Sequence, residues 1–430
     1  MTAIAAEAGK GGMLADRSVR WLLAGAAINQ LGDQFTLIAL PWLVLKLTGD
    51  PAAMGLVLAA MSIPRAIFIL VGGALTDRFS PKRVLMLTKY VNTGLLGLLT
   101  VLVLGGWLRM WMVYPIAICI GLATAFSVPS GTAIVPRTVP AHLLGPVNAI
   151  MMAMRQISVM AGPLLAGLLV ALFGDGEGGR IEDAKGLGIA FLVDTLSFAL
   201  STWTLTKVAE APPADPAVPP APVFASIAEG LRYFWSDRSL RWLFLYFGTT
   251  TFLIAGPLQV ATPVMADEQL GGAAALGMLM AAHGVGALLG MALSGKFPRL
   301  RLGTLGVTIL CIDMTAGLLL APVGYATQTW QAMLAMVPLG VLAGFIQVVV
   351  YTWVQRRVAP ALLGRTLALF MFIFMGVGPI SAGITGFVLR QVELSTVFLA
   401  AGLTLTLIAA AGALSPAIRG VDDGPARRKS

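Results

Sequence analysis

Charge is what this sequence has least of: of its 430 residues only 11% are Asp, Glu, Lys or Arg, against about a quarter in an ordinary soluble domain. So few charges cannot cover a water-facing surface, and a soluble globular protein is excluded. Histidine and cysteine are scarcer still, at 2 each. His142 and His283 belong to no metal-ligand or nucleophile constellation, so no metal, cofactor or enzymatic centre is expected. Cys119 and Cys311 both sit inside apolar runs, which reads as inert packing rather than a disulfide framework. Basic blocks are absent too. Although the net charge is +9, the lysines and arginines lie scattered between apolar runs and form no stripe, so nucleic acid is not an expected partner. The first twenty residues carry Glu7 and Asp16 and lack an apolar core, so no cleaved targeting peptide is expected.

What the chain has is hydrophobicity, at 57% of residues. About 20 apolar residues cross roughly 30 Å of hydrocarbon, and twelve such runs begin near Trp21, Gly55, Val84, Trp111, Pro146, Leu187, Arg241, Ala273, Gly303, Trp330, Arg365 and Leu394. The expected class is an all-α polytopic membrane protein. Lysine and arginine are retained on the cytoplasmic side of short loops. With the N-terminus inside, Lys46, Arg109, Arg180, Lys185 and Arg390 alone fall on the outer side, Arg65 and Arg155 fall within spans, and the rest of the 29 lie on the inner side. The reading is a multi-pass protein of a bacterial inner membrane, both termini cytoplasmic, working as a monomer.

One long interruption divides the spans. The Pro-rich stretch Pro212 to Pro222 cannot hold a regular helix, and beyond it Phe224, Ile227, Leu231 and Phe234 recur at helical spacing, as in a short helix lying on the membrane surface. The expected organisation is a cytoplasmic segment over 1–20, a six-helix bundle over 21–207, a linker over 208–240, a second six-helix bundle over 241–415 and a basic tail over 416–430. The halves repeat. Ala74-Leu75-Thr76-Asp77-Arg78-Phe79 recurs as Ala292-Leu293-Ser294-Gly295-Lys296-Phe297, Arg137 with Leu143-Leu144-Gly145 as Arg356 with Leu362-Leu363-Gly364, and Gly162-Pro163 as Gly378-Pro379, all in register. Two pseudo-symmetric bundles around a midplane site are what alternating access requires.

The loop Gly73-Ala74-Leu75-Thr76-Asp77-Arg78-Phe79-Ser80-Pro81-Lys82-Arg83 resembles the signature loop of the major facilitator superfamily. Asn29-Gln30-Leu31-Gly32-Asp33 leading to Ala39-Leu40-Pro41-Trp42, Gly230-Leu231-Arg232, and Gly364-Arg365 are similar to the branch that holds macrolide-efflux proteins and the enterobactin exporter. Ala161 to Gly167 resembles the Gly-Pro motif of drug and proton antiporters, although Met152, Arg155 and neighbours stand where that motif has further glycines. Span four lacks the mid-helix arginine of many such antiporters. The resemblance implies the major facilitator fold and secondary active efflux of small amphiphilic or hydrophobic molecules in exchange for protons. Export of a siderophore or movement of a lysophospholipid is the alternative within the same fold. It also implies a latch in which Asp77, with Gly73, Arg78, Arg137 and Arg365, closes the inner side.

Carboxylates at mid-membrane cost about 2.5–3.5 kcal/mol on insertion scales, so each calls for a function. Asp33 is the first choice for carrying the proton, because Asn29, Asp33 and Thr36 share one face of span one. Asp313 in span nine has Leu95 at its repeat-equivalent position, and Asp194 in span six reads as nearer the outer surface. Arg65 and Arg155 are the intramembrane cations, and Asp33 is the expected partner of one of them. Gly162-Pro163 and Gly378-Pro379 read as paired hinges. Gly286 with Gly290 and Gly340 with Gly344 read as close helix contacts. Gln30, Gln156, Gln259, Gln347 and Tyr351 are cavity candidates alongside Asn29 and Thr36, with methionines such as Met151 and Met152 as adaptable surface. Gly290 to Lys296 mimics a phosphate-binding loop, but Phe297 replaces the hydroxyl and no strand precedes it, so direct ATP coupling is not expected.

Overall fold

A computed structural model describes residues 16–174, 184–209, 238–297, 302–358 and 376–421, together with isolated positions between them, with backbone alone at 70–71, 73–78, 238–239 and 417. Among the described residues there is no strand. Twelve helices account for the spans: α1 Arg17–Thr48, α2 Pro51–Arg78, α3 Pro81–Leu104, α4 Met110–Thr138, α5 Leu144–Phe173, α6 Lys185–Thr206, α7 Arg238–Gly256, α8 Ala273–Lys296, α9 Leu305–Leu320, α10 Thr329–Arg357, α11 Gly376–Val388 and α12 Leu394–Leu414. Ten are long and apolar enough to cross a membrane by composition alone. Helix α1 has the length, at 32 residues, but Asn29, Gln30, Asp33 and Gln34 break its apolar run. Helix α11 is described only over its later part.

Local chemistry sets the ends. Asp16 caps α1 by accepting from Ser18 N at 2.8 Å and Val19 N at 3.1 Å, satisfying donors that a helix start leaves orphaned. Gly49, at φ 61°, closes the other end by donating to Leu45 O at 2.7 Å, a left-handed cap where a side chain would be strained. Ser80 caps α3 with Pro81 in its first turn. Helix α7 continues through a π-helical turn, Pro257–Ala261, into Thr262–Glu268.

The chain forms two compact units: Met1–Gly49 with Ala60–Pro220, and Asp50–Ala59 with Ala221–Ser430. In the first, α6 packs against α1 and α3, α5 against α1, and α4 against α3. In the second, α8 packs along α10, and α9 against α12. The α8–α10 pairing is set by glycine. A methyl added at Gly286, Gly290, Gly340 or Gly344 would run into backbone of the opposite helix, at Val337, Val341, His283 and Ala287. Where association lacks a hydrophobic drive, such close backbone approach supplies van der Waals contact. Large apolar side chains point outward instead, among them Leu87, Val101, Leu168 and Leu172, a surface suited to lipid. Trp107 and Trp111 stand exposed around the α3–α4 turn, as expected of residues at a membrane–water boundary.

Candidate functional site: a charge cluster on helices one, three and six

Three ionisable side chains from three helices meet inside the first unit. Asp33 lies about 24 Å into α1 at 1.5 Å per residue, near its middle, Lys89 about 12 Å into α3, and Asp194 about 13 Å into α6. Lys89 Nζ donates to Asn29 Oδ1 at 2.5 Å and to Ser201 Oγ at 2.7 Å, and it stands 5.5 Å from the centroid of the Phe198 ring. Asn29 Nδ2 in turn donates to Asp33 Oδ2 at 3.0 Å. The lysine thus reaches Asp33 through an amide rather than by direct ion pairing. Its charged neighbours are both carboxylates, Asp33 and Asp194. Asp194 accepts from Thr36 Oγ1 and, at 3.0 Å, from Ser197 Oγ. Of the three, Asp194 is 1% exposed and Lys89 8%, whereas Asp33 is exposed. One carboxylate is therefore open to its surroundings, one is sealed, and the cation sits between them. A charged carboxylate facing hydrocarbon at this depth is costly, so the open side of Asp33 suits a wet space.

Glycine makes the approach of α1 to α6 possible. A methyl on Gly32 would overlap Ser197 and crowd Asp194 Oδ1, and one on Gly25 would overlap Thr204 and Ser201. Asp194, Ser197, Ser201 and Thr204 form one polar stripe along α6, and the two glycines of α1 sit against it.

Several sequence-based placements need correction. Asp33 was expected to pair with Arg65 or Arg155; its cation is Lys89, which the charge count had placed on the inner side because it follows Lys82 and Arg83 closely in sequence. Asp194 was expected near the outer surface, but it lies well inside α6 and is sealed by Thr36 and Ser197. Asn29 and Thr36 were taken as cavity residues; their side chains are engaged with Lys89, Asp33 and Asp194, because that face of α1 packs on α3 and α6. Arg155 is exposed on α5 and Gln156 half-buried beside it. Arg65 is half-buried in α2, with Nη2 3.4 Å from Ser62 Oγ and Nε buried without a partner. Gln30 is half-buried, with Oε1 unpartnered.

In the second unit, Asp313 is 5% exposed with Oδ2 unpartnered. Tyr246 of α7 is its neighbour, the phenol facing the carboxyl without closing to hydrogen-bond geometry. Gln347 is exposed and Tyr351 half-buried on α10. Each Gly-Pro pair receives a glutamine. Gln34 of α1 packs over Gly162 so closely that a methyl there would overlap its stem, and Gln259 of the π-helical turn puts Nε2 within 3.1 Å of where a Gly378 methyl would sit. Helix α5 stays continuous through Pro163, and Pro379 lies within α11. Arg137 is in the last turn of α4. The side chains of Gly73, Asp77 and Arg78, all of Arg365, and the surface helix expected after Pro222 fall outside the described residues. Lys89, Ser197, Ser201, Gln34 and Tyr246 are the residues sequence reasoning missed; the α6 stripe was the available signal for Ser197 and Ser201 alone.

Long apolar helices in two units, with ionisable groups enclosed at mid-span, define a polytopic helical membrane protein. The chain belongs to the Major Facilitator Superfamily, whose model matches residues 22–383. It is 26% identical over 420 residues to the multidrug efflux pump Tap of Mycobacterium tuberculosis, covering 94% of each chain. To the enterobactin exporter EntS of Escherichia coli it is 26% identical over 330 residues, covering 76% of this chain and 74% of the exporter. Among solved structures it is similar in fold to the nucleoside transporter NupG, with TM-score 0.68 and 15% identity over 92% of this chain and 98% of that one. A bacterial homologue of the lysosomal transporter Spinster gives TM-score 0.68 and 15% identity over 93% and 96%.

Proposed function

We propose that this protein exports small amphiphilic molecules by alternating access, driven by protons entering through Asp33. The observation that carries the reading is the unequal pair of carboxylates around Lys89: Asp33 exposed, Asp194 sealed, with Asn29 linking the lysine to the exposed one. With both acids ionised and Lys89 protonated the cluster bears one net negative charge. A proton on Asp33 makes it neutral. Neutral and charged clusters favour different surroundings, so loading and unloading that proton biases a two-state equilibrium. Asp194 keeps its Thr36 and Ser197 bonds in either state and holds Lys89 in place.

The direction and substrate class rest on the relatives, named as a multidrug efflux pump and an enterobactin exporter. The second of those names favours siderophore export as the alternative cargo. The lysine and arginine distribution supports both termini on the cytoplasmic side of a bacterial inner membrane, and the transporting unit is taken to be a monomer. The family resemblance supports an inner latch built on Asp77, with Arg78, Gly73, Arg137 and Arg365, and the Gly-Pro pairs with their glutamines serve as pivots. The test is reconstitution in vesicles with an imposed pH gradient, following substrate and proton together. Coupled, opposite movement supports the reading; substrate movement indifferent to the gradient contradicts it.

A further inference from the structure

We propose that the exported amphiphile carries an anionic group, a carboxylate or an acid of similar charge, and that Arg65 binds it. This rests on the export reading and names its substrate class. Arg65 lies about 21 Å from the start of α2, midway along a helix that crosses the membrane. A guanidinium does not lose its proton in a protein, so at that depth it needs an anion or a wet cavity.

Among the described residues none supplies the anion. Its one hydrogen bond is the 3.4 Å contact from Nη2 to Ser62 Oγ, a neutral group on its own helix, and Nε is buried with no acceptor. The described mid-span acids of the first unit are engaged elsewhere, Asp33 with Asn29 and Asp194 with Thr36 and Ser197. The described buried acceptors left over there, Gln30 Oε1, Asn92 Oδ1 and Thr138 Oγ1, are neutral and make no hydrogen bond to it. Helix α2 approaches α4 closely, since a methyl on Gly121 would overlap Met61 O and one on Gly72 would overlap Ala125 O. Met61, Arg65 and Gly72 share that side of α2, and α4 carries no acid anywhere along Met110–Thr138.

Arg65 is half-buried, so its side chain is not fully enclosed; an incoming carboxylate can dock on its fork, and a small rotation would bring Nε into the bidentate pair that Arg forms with planar anions. Lipid headgroups sit at the bilayer surfaces and do not reach mid-span. An anion found here is brought by the cargo. Lys89 is no competitor for it, being committed to Asn29 and Ser201 beside two carboxylates.

The test uses the purified full chain in nonionic detergent without anionic lipid, with 11-(dansylamino)undecanoic acid and its methyl ester as probes. Energy transfer from the chain's tryptophans to the dansyl group reads binding. Wild type is expected to bind the acid roughly tenfold more tightly than the ester, the scale of one charge-assisted hydrogen-bonded contact. Arg65→Gln should bring the acid to the ester's affinity, and Arg65→Lys, which keeps the charge, should retain part of the preference. Equal binding of acid and ester by wild type, or a preference that survives in Arg65→Gln, overturns the assignment. No proton gradient is present in this assay. Gradient-driven export with no anion preference would sink the Arg65 assignment alone, and anion preference without gradient-driven export would sink the proton coupling alone.

Discussion

Lys89 on α3 donates to the Asn29 side chain of α1 at 2.5 Å, and Asn29 passes the contact to Asp33 one helical turn further along. This places a fixed positive charge beside an exposed carboxylate without consuming it in a direct ion pair. The same ammonium is held on its other side by Ser201 of α6, so three helices share one cation.

Removing that cation leaves Asp194 sealed without its counter-charge. Uncompensated buried charge costs about 3–5 kcal/mol, so Lys89→Met should lower thermal stability markedly. Asp194→Asn removes the acid's charge, its Oδ1 still accepting from one of the two hydroxyls and its Nδ2 donating to the oxygen of the other. The double variant should therefore recover much of the loss, giving a coupling of opposite sign to the single effects. Additive losses in melting experiments would show that Lys89 and Asp194 do not balance one another.

Gly32 should tolerate no methyl. Gly32→Ala would press on Ser197 and Asp194, and overpacking of this kind costs about 1–3 kcal/mol. Gly94→Ala is the control, since nothing lies within 4 Å of its added methyl. Thermal unfolding should separate the two; equal melting temperatures would mean α1 and α6 part without cost.

Asp50 pairs with Arg390 through a bidentate contact in which Arg390 Nε donates to Asp50 Oδ1 at 2.8 Å. The hydrogen-bonded guanidinium holds the Asp50 carboxyl below its ordinary value. A depressed carboxylate stabilises the fold at pH above its unfolded value, about 3.9, and that contribution is lost as pH falls through the lower folded value. Both side chains are partly exposed, at 25% and 49%, so the pair is worth at most about 1 kcal/mol. Asp50→Asn should melt slightly below wild type at neutral pH, with the gap closing in acid. A gap that widens on acidification would contradict the pairing.

How much was readable follows from what lipid demands. Apolar runs of spanning length mark the helices because backbone groups in hydrocarbon must bond within their own segment, and the starts near Ala273, Trp330 and Leu394 fall within a residue of α8, α10 and α12. The glycines at 286, 290, 340 and 344 were legible from spacing alone. Depth singled out Asp33, but depth does not say which helix its face meets. Lys89 was hidden because it follows Lys82 and Arg83, which read as anchors of an inner loop. The π-helical turn at Pro257–Ala261, which carries Gln259 to Gly378, has no periodic signature and was not foreseen.

Orientation is tested by cysteines at Gly178 and Pro219, in the loop after α5 and in the Pro-rich linker. The charge distribution predicts labelling from opposite faces of the membrane. Labelling from one face would contradict the proposed topology.

The most direct test of the account is Asp33→Asn in reconstituted vesicles. Asparagine keeps the size of the side chain and its hydrogen bond to Asn29 but cannot load and release a proton. With an imposed pH gradient, wild type should drive substrate uphill with proton movement in the opposite direction, each charge moved gaining about 2.3 kcal/mol per 100 mV of potential. The variant should lose uphill movement and its accompanying proton flux while still exchanging substrate downhill. Uphill, proton-linked transport by Asp33→Asn at the wild-type level would remove Asp33 from the coupling mechanism and leave Asp313 as the next acid to examine.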